Sequence, residues 1–166
     1  MDTFAKFAPW LVMGLMVYVV SRVVTLSHPT SYSDVALPAL IIPILLFGLV
    51  IVMYVYRTKA VIIDDNGIVI DRIAKRVTIN YSDIHSVKTV PDMRFAIRTF
   101  GNGGVFGYTG YFYKKGIGSM RWYCTQRRNY ILIEKTNNKK IVVTPDDPDG
   151  FISDIQAIHP ELVIGV

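Results

Sequence analysis

The sequence predicts a membrane-anchored α+β protein: two N-terminal transmembrane helices followed by an antiparallel β-barrel of about seven strands with a C-terminal helix. The apolar class makes up 51% of the 166 residues and the mean hydropathy is +0.35, but the apolar residues are pooled at the front of the chain. Behind them, short β-branched runs alternate with period two, and one amphipathic helical pattern closes the chain. The composition excludes a disordered chain, which would be poor in apolar residues. A single cysteine excludes a disulfide-stapled secreted module, and no internal repeat is visible.

The anchor occupies residues 1–56, with spans at about 7–26 and 35–56. Residues 35–56 hold no charge, and a helix of that length at about 1.5 Å per residue covers the roughly 30 Å hydrocarbon core. Pro38 and Pro43 fall in its first half, and Tyr54 and Tyr56 suit an aromatic anchor at the interface. The first span is interrupted by Arg22, which near a span's end can snorkel to the headgroups. A cleavable signal peptide is the alternative for this stretch; Asp2 and the absence of a clear small-x-small site argue against it, although Thr25-Leu26-Ser27 leaves a place for cleavage. The loop 27–34 lacks Lys and Arg, whereas Lys6, Arg57 and Lys59 flank the spans on the other side. The positive-inside rule therefore predicts a two-pass topology with both termini cytoplasmic.

Residues 57–166 form the expected cytoplasmic domain. They carry sixteen Lys and Arg against eleven Asp and Glu, so the whole net charge of +5 resides here, and their number suffices for one core. Runs at 59–64 and 68–72 flank Asp65-Asn66-Gly67, a hairpin signal. Further strands are expected at 77–81, 84–90, 94–100, 119–125, 130–135 and 139–144. In the run 94–100, Phe95 and Ile97 share one face and Arg94 and Arg98 the other. Asp147 is placed to cap a helix that begins at Pro148 and repeats Phe151, Ile152, Ile155 and Ile158 at helical spacing, with His159-Pro160 ending it. A meander with one helix plugging an open end suits a pleckstrin-homology-like barrel among other small barrels.

The segment 101–118 holds seven of the twelve glycines and five aromatics. Gly101, Gly103, Gly104, Phe106, Gly107, Tyr108, Gly110, Tyr111 and Phe112 are the candidate interaction loop. Such a segment either packs over a barrel mouth or meets a partner, since glycine permits close approach and aromatics supply contact area. Nucleotide fingerprints fail, because Phe106 stands where a third glycine of G-x-G-x-x-G would be and no Gly-Lys-Ser/Thr follows.

The run from Phe100 to Phe112, Trp122-Tyr123, and Thr144-Pro145-Asp146-Asp147-Pro148 with Phe151 together resemble a bacterial pleckstrin-homology-like (PH-like) domain family. The resemblance covers about residues 58–158. It implies a PH-like barrel, often attached to transmembrane helices, in the bacterial inner (cytoplasmic) membrane, with no settled activity and no catalytic residues to carry over.

Phosphoinositide binding at the first hairpin is disfavoured, because Asp64-Asp65-Asn66-Gly67 would repel a phosphate there. Arg72, Lys75, Arg76, Lys114, Lys115, Arg127 and Arg128 are the candidate contacts for anionic lipid, with Lys139-Lys140 a further basic pair; a solvated face explains the same residues. No catalytic, cofactor or metal site is expected. His28, His85 and His159 are scattered, Cys124 has no CxxC partner, and Asp146, Asp147 and Asp149 suit a helix N-terminus. Nucleic-acid binding is not expected from so modest a charge. The function expected is a noncatalytic, integral-membrane interaction module recruiting an unknown protein partner through a sheet edge or the glycine-aromatic loop. Its alternative is direct binding of anionic phospholipid, and an enzyme would need a buried polar constellation in a pocket.

Overall fold

The structure, a computed structural model, describes the backbone of residues 3–26, 32–90 and 92–163; within the two N-terminal helices it describes the side chains of residues 7, 10–22, 25, 41 and 43–55. Helices α1 (Thr3–Leu26) and α2 (Tyr32–Val55) pair, and α2 leads directly into β1 (Thr58–Asp64). Among the described residues no helix is long and apolar enough to cross a membrane. The spans expected at 7–26 and 35–56 are helical, but part of each lies outside the described side chains.

Nine strands follow among the described residues. Besides β1 they are β2 (Gly67–Arg72), β3 (Val77–Asn80), β4 (Ile84–Val90), β5 (Ile97–Gly103), β6 (Tyr108–Lys114), β7 (Gly118–Cys124), β8 (Tyr130–Lys135) and β9 (Lys140–Val143), and α3 (Pro148–Ile158) ends the series. They form a β-sandwich in place of the closed barrel of about seven strands expected. A three-stranded sheet, β1-β2-β3, lies apart from a six-stranded sheet ordered β4-β8-β9-β7-β6-β5. A 3-10 turn at Tyr81–Asp83 moves the chain from one sheet to the other without a strand long enough to pair with both.

Nor is the order a meander. The β8-β9 hairpin inserts between β4 and β7, so β9 runs parallel to β7. This leaves β8 and β9 central, and their residues are buried on both faces. Ile131, Ile133, Ile141 and Val143 join Ile68, Ile70, Ile79, Tyr123 and the α3 residues Phe151 and Ile155 between the sheets. Leu132 and Val142 point the other way, into a second cluster with Tyr108, Phe112, Met120, Trp122, Cys124 and Tyr130.

The second cluster is roofed by the link from β4 to β5. Val90 pairs with Tyr130 at one end of the sheet, whereas Ile97 pairs with Tyr113 at the other, so the link must cross the sheet face. Met93 is the residue it buries there. The first hairpin and α3 form as the sequence predicts: Asp65 and Asn66 connect β1 to β2, and the Asp147 carboxylate accepts the Gly150 N–H at 3.0 Å with Pro148 in the first turn.

At the far end of the larger sheet from the helices, Glu134 accepts from Ser86 (3.1 Å) and Lys88 (3.2 Å) and lies 3.7 Å from Lys140. Burial works to raise the Glu134 carboxyl, but the hydrogen bonds and charges of Lys88, Ser86 and Lys140 together hold it below its ordinary value. A carboxyl depressed in the folded state stabilises the fold above its unfolded pKa of about 4.3, and that contribution vanishes as the pH falls through the lower folded value. Glu134→Gln should therefore be less stable than the parent by about 1 kcal/mol at pH 7. The difference should shrink toward zero as the pH falls through the depressed folded value, as a series of denaturant titrations from neutral pH into acid would show.

Candidate interaction cleft at the edge of the larger sheet

The glycine-aromatic segment is a hairpin, β5-β6, and its glycines answer to its geometry. Gly101 and Gly110 are opposite one another. Both have positive φ, and a Cβ on either would fall far inside contact with the facing backbone oxygen, Thr109 O or Phe100 O. Only glycine lets the two chains come this close. At the tip, Asn102 Nδ2 donates to the Val105 carbonyl, Asn102 accepts the Val105 N–H, and Gly104 N–H donates to Gly107 O at 3.0 Å.

The candidate loop residues divide by face. Tyr108 and Phe112 are buried in the second cluster, whereas Tyr111 lies partly exposed on the opposite face. Phe106 packs edge-on against Tyr54 of α2, with ring centroids 5.2 Å apart. The hairpin tip is thereby placed against the end of the helical hairpin.

The basic residues divide by end. Arg72 is 9% exposed; its Nε donates to Lys75 O, and its guanidinium lies over Tyr56 and Tyr123. Arg121 lies over Tyr123 and Tyr111. The series Tyr56-Arg72-Tyr123-Arg121-Tyr111 thus runs from the end of α2 across the larger sheet as alternating rings and cations. Burial raises the Tyr123 hydroxyl pKa against the opposing pull of Arg121 and Arg72. Arg72 is a structural cation, unlike the surface lipid contact expected. Lys75 and Arg76 remain near α2, because Ala74 N–H donates to Val55 O, and Arg76 pairs with Asp71 at 3.0 Å. Arg127 and Arg128 are at the same end, in the turn after β7, with Arg127 over the Tyr108 ring. Lys114 lies at the opposite end, where its Nζ donates to Asp92 O, and Lys115 adjoins it.

Beside the crossing link opens a cleft of about 540 Å³. Its floor is Phe112, stacked on Trp122 at 4.1 Å, with Tyr108 and Tyr130 alongside. Its wall is the link itself, and Arg94, Arg98 and Arg127 stand around it. Arg94 is paired with Asp92 at 3.1 Å, and the Arg94 backbone N–H heads the causes that hold the Asp92 carboxyl below its usual range. Phe95, 91% exposed, sits at the rim with φ of 65°, a left-handed conformation unusual for a bulky residue and often found at functional positions. Trp122 is 3% exposed, and its indole Nε1 is buried without an acceptor among the described residues.

The alternation over 94–100 predicts a half-buried strand with Phe95 and Ile97 on one face and Arg94 and Arg98 on the other. In the structure Arg94, Phe95, Ile97 and Arg98 are all exposed, β5 begins only at Ile97, and Arg98 lies on the Phe112 side, over the cleft. Cys124 is wholly buried, which pushes its thiol well above the ordinary range and away from the reactive thiolate. His159 packs on Tyr81 and pairs with Glu161, whereas His85 is exposed. Among the described residues no three His, Cys, Asp or Glu gather as a metal site.

Two sheets packed face to face and capped by one C-terminal amphipathic helix define a PH-type domain. Residues 59–158 match the family described as Bacterial PH domain, and the chain belongs to it. PH domains are generally noncatalytic interaction modules. Comparison with curated proteins and with solved structures gives no match.

Proposed function

We propose that the protein is a membrane-anchored, noncatalytic module that recruits a protein partner at the inner face of the bacterial membrane by strand addition to β5. The observation that carries this reading is the character of that edge. The larger sheet ends at β5, and the strand carries exposed Ile97 and Phe100, the latter 75% exposed. A long apolar edge left open is a template for another chain. The anchor is the pair α1-α2: each has 24 residues, or about 36 Å at 1.5 Å per residue, and Trp10, Leu11, Leu15, Ile44, Leu45 and Phe47 turn apolar surface outward. Both termini then lie in the cytoplasm, as the flanking basic residues favour.

A photoreactive amino acid at position 99, in full-length protein within native membranes, should form a protein adduct. The adduct should fall at least tenfold when Ile97→Lys and Phe100→Lys put charge on the edge, and should persist in Phe106→Ala, which alters only the hairpin tip. An adduct indifferent to the charged edge, or label confined to lipid, would reject the reading.

The gathering of Lys75, Arg76, Arg127 and Arg128 at the α2 end favours a second, subsidiary reading, contact with anionic headgroups at about 1 kcal/mol per basic residue close to the leaflet. Lys114, Lys115, Lys139 and Lys140 lie at the other end and take no part in it.

A further inference from the structure

We propose that the cleft beside β5 reads an acidic side chain on the partner strand, so that the recruited segment is extended and carries a carboxylate. The proposal rests on strand addition at β5 and names the chemistry of what is added. An added strand places every second side chain on the cleft face of the sheet, and the residue beside Arg98 shares that residue's face. Arg98 lies on the Phe112 side of the sheet and lines the cleft. Its guanidinium rests over Gly103, where even a Cβ would displace it. Arg98 forms no ion pair among the described residues, whereas Arg94 already has Asp92.

A carboxylate reaching past the edge strand finds two complementary groups. Arg98 offers a planar fork of donors that suits a carboxylate. Trp122, which also lines the cleft, has a buried indole N–H with no acceptor among the described residues, a state that costs free energy until an oxygen arrives. The aromatic floor excludes water and strengthens both interactions, while Phe95 at the rim supplies contact area. Arg94, Arg98 and Arg127 line the site and Lys114 reaches Asp92 O beside it, with Asp92 the one carboxylate among the described lining residues, so an acidic segment is also steered toward it.

The same charges disfavour a second copy, which added to β5 about a two-fold axis would bring these cations against themselves. A bilayer is the competing occupant, because the Arg98 guanidinium reaches back over Gly103 near the hairpin tip, and vesicles therefore enter the test.

Trp10 and Trp122 are the only tryptophans, so full-length protein with Trp10→Phe in mild detergent reports Trp122 fluorescence alone. The probe is a capped seven-residue peptide of alternating valine and threonine with one central glutamate. It should change the fluorescence saturably and bind about tenfold more tightly than the same peptide with central glutamine, and the lysine version should not bind. Arg98→Gln, an exposed substitution, should leave the melting temperature unchanged and abolish the preference for glutamate over glutamine. Equal binding of the glutamate and glutamine peptides, or a preference that survives Arg98→Gln, overturns the proposal. So does an Arg98-dependent fluorescence change with vesicles containing 30% anionic lipid and no peptide, since the membrane would then be the occupant. If the adduct at position 99 forms while the peptides are not distinguished, recruitment at β5 stands and its acidic chemistry falls.

Discussion

Gly110→Ala should lower the stability of the domain by about 3 kcal/mol, and with it the melting temperature by more than about 10 °C. Two costs combine. Positive φ disfavours any residue with a Cβ by about 1–2 kcal/mol, and Gly110 has φ of 141°. The added Cβ also meets Phe100 O and the Gly101 backbone, a clash with main chain that no rotamer relieves, worth about 1–3 kcal/mol. A control is built into the next turn: Gly116 has φ of 88° and open space where its Cβ would be. Gly116→Ala therefore bears the conformational cost alone, about 1 kcal/mol, or about 4–8 °C for a domain of this size. Near-ultraviolet dichroism follows both melts through the Phe112-Trp122 stack. Variants melting within two degrees of each other would refute the close approach of β5 and β6 as the reason for the glycines.

The contrast between these two glycines marks where sequence reading succeeds. Capping by Asp147 with Pro148 in the first turn, and the Asp65-Asn66 connection, are local arrangements whose partners lie within a few residues, so the sequence carries their signal. The glycines at 101 and 110 announce close approach, but not which strand is approached. Their pairing is set by the register of two strands with a bulge between Arg98 and Phe100, and the bulge shifts the alternation on which the assignment of faces rests. The strand expected at 94–100 begins only at Ile97 for a related reason: the chain before it is a link across the sheet, anchored by Met93, and period two carries no information in such a link. The parallel pairing of β9 with β7 was likewise illegible. Ile141, Val142 and Val143 are consecutive apolar residues that fit any twice-buried strand, and only the tertiary order says which neighbours they have.

The cleft combines these illegible features. Trp122 and Phe112 are legible as apolar residues on neighbouring strands, but their place as the floor of a cleft beside a roof one segment wide follows from the crossing link. Arg98 lines the cleft because it stands on the edge strand beside them. The N-terminal helices raise the opposite difficulty: their apolar character is plain from composition, while how the domain meets the end of α2 depends on contacts such as Tyr54-Phe106 and Arg72-Tyr123 between residues far apart in sequence.

Ile155→Ala should cost about 3 kcal/mol, within the range for removing a large aliphatic side chain from a packed core, yet leave binding at β5 intact. Ile155 is wholly buried in the cluster between the two sheets, on a helix that contacts both β1 of one sheet and β4 of the other. A cavity there weakens the junction that holds the sandwich together. Ile155→Val should cost only about 1 kcal/mol, and Asp147→Ala, which removes the cap at the start of the same helix, a similar amount. Urea titration of the three variants would establish the order. The cleft lies on the opposite face of the larger sheet, in the second cluster, so the glutamate peptide should bind folded Ile155→Ala with the affinity of the parent at low temperature. Loss of binding in fully folded Ile155→Ala would mean that the two faces of the larger sheet are coupled through β8 and β9, whose residues Ile131, Leu132, Ile133, Ile141, Val142 and Val143 belong alternately to both clusters.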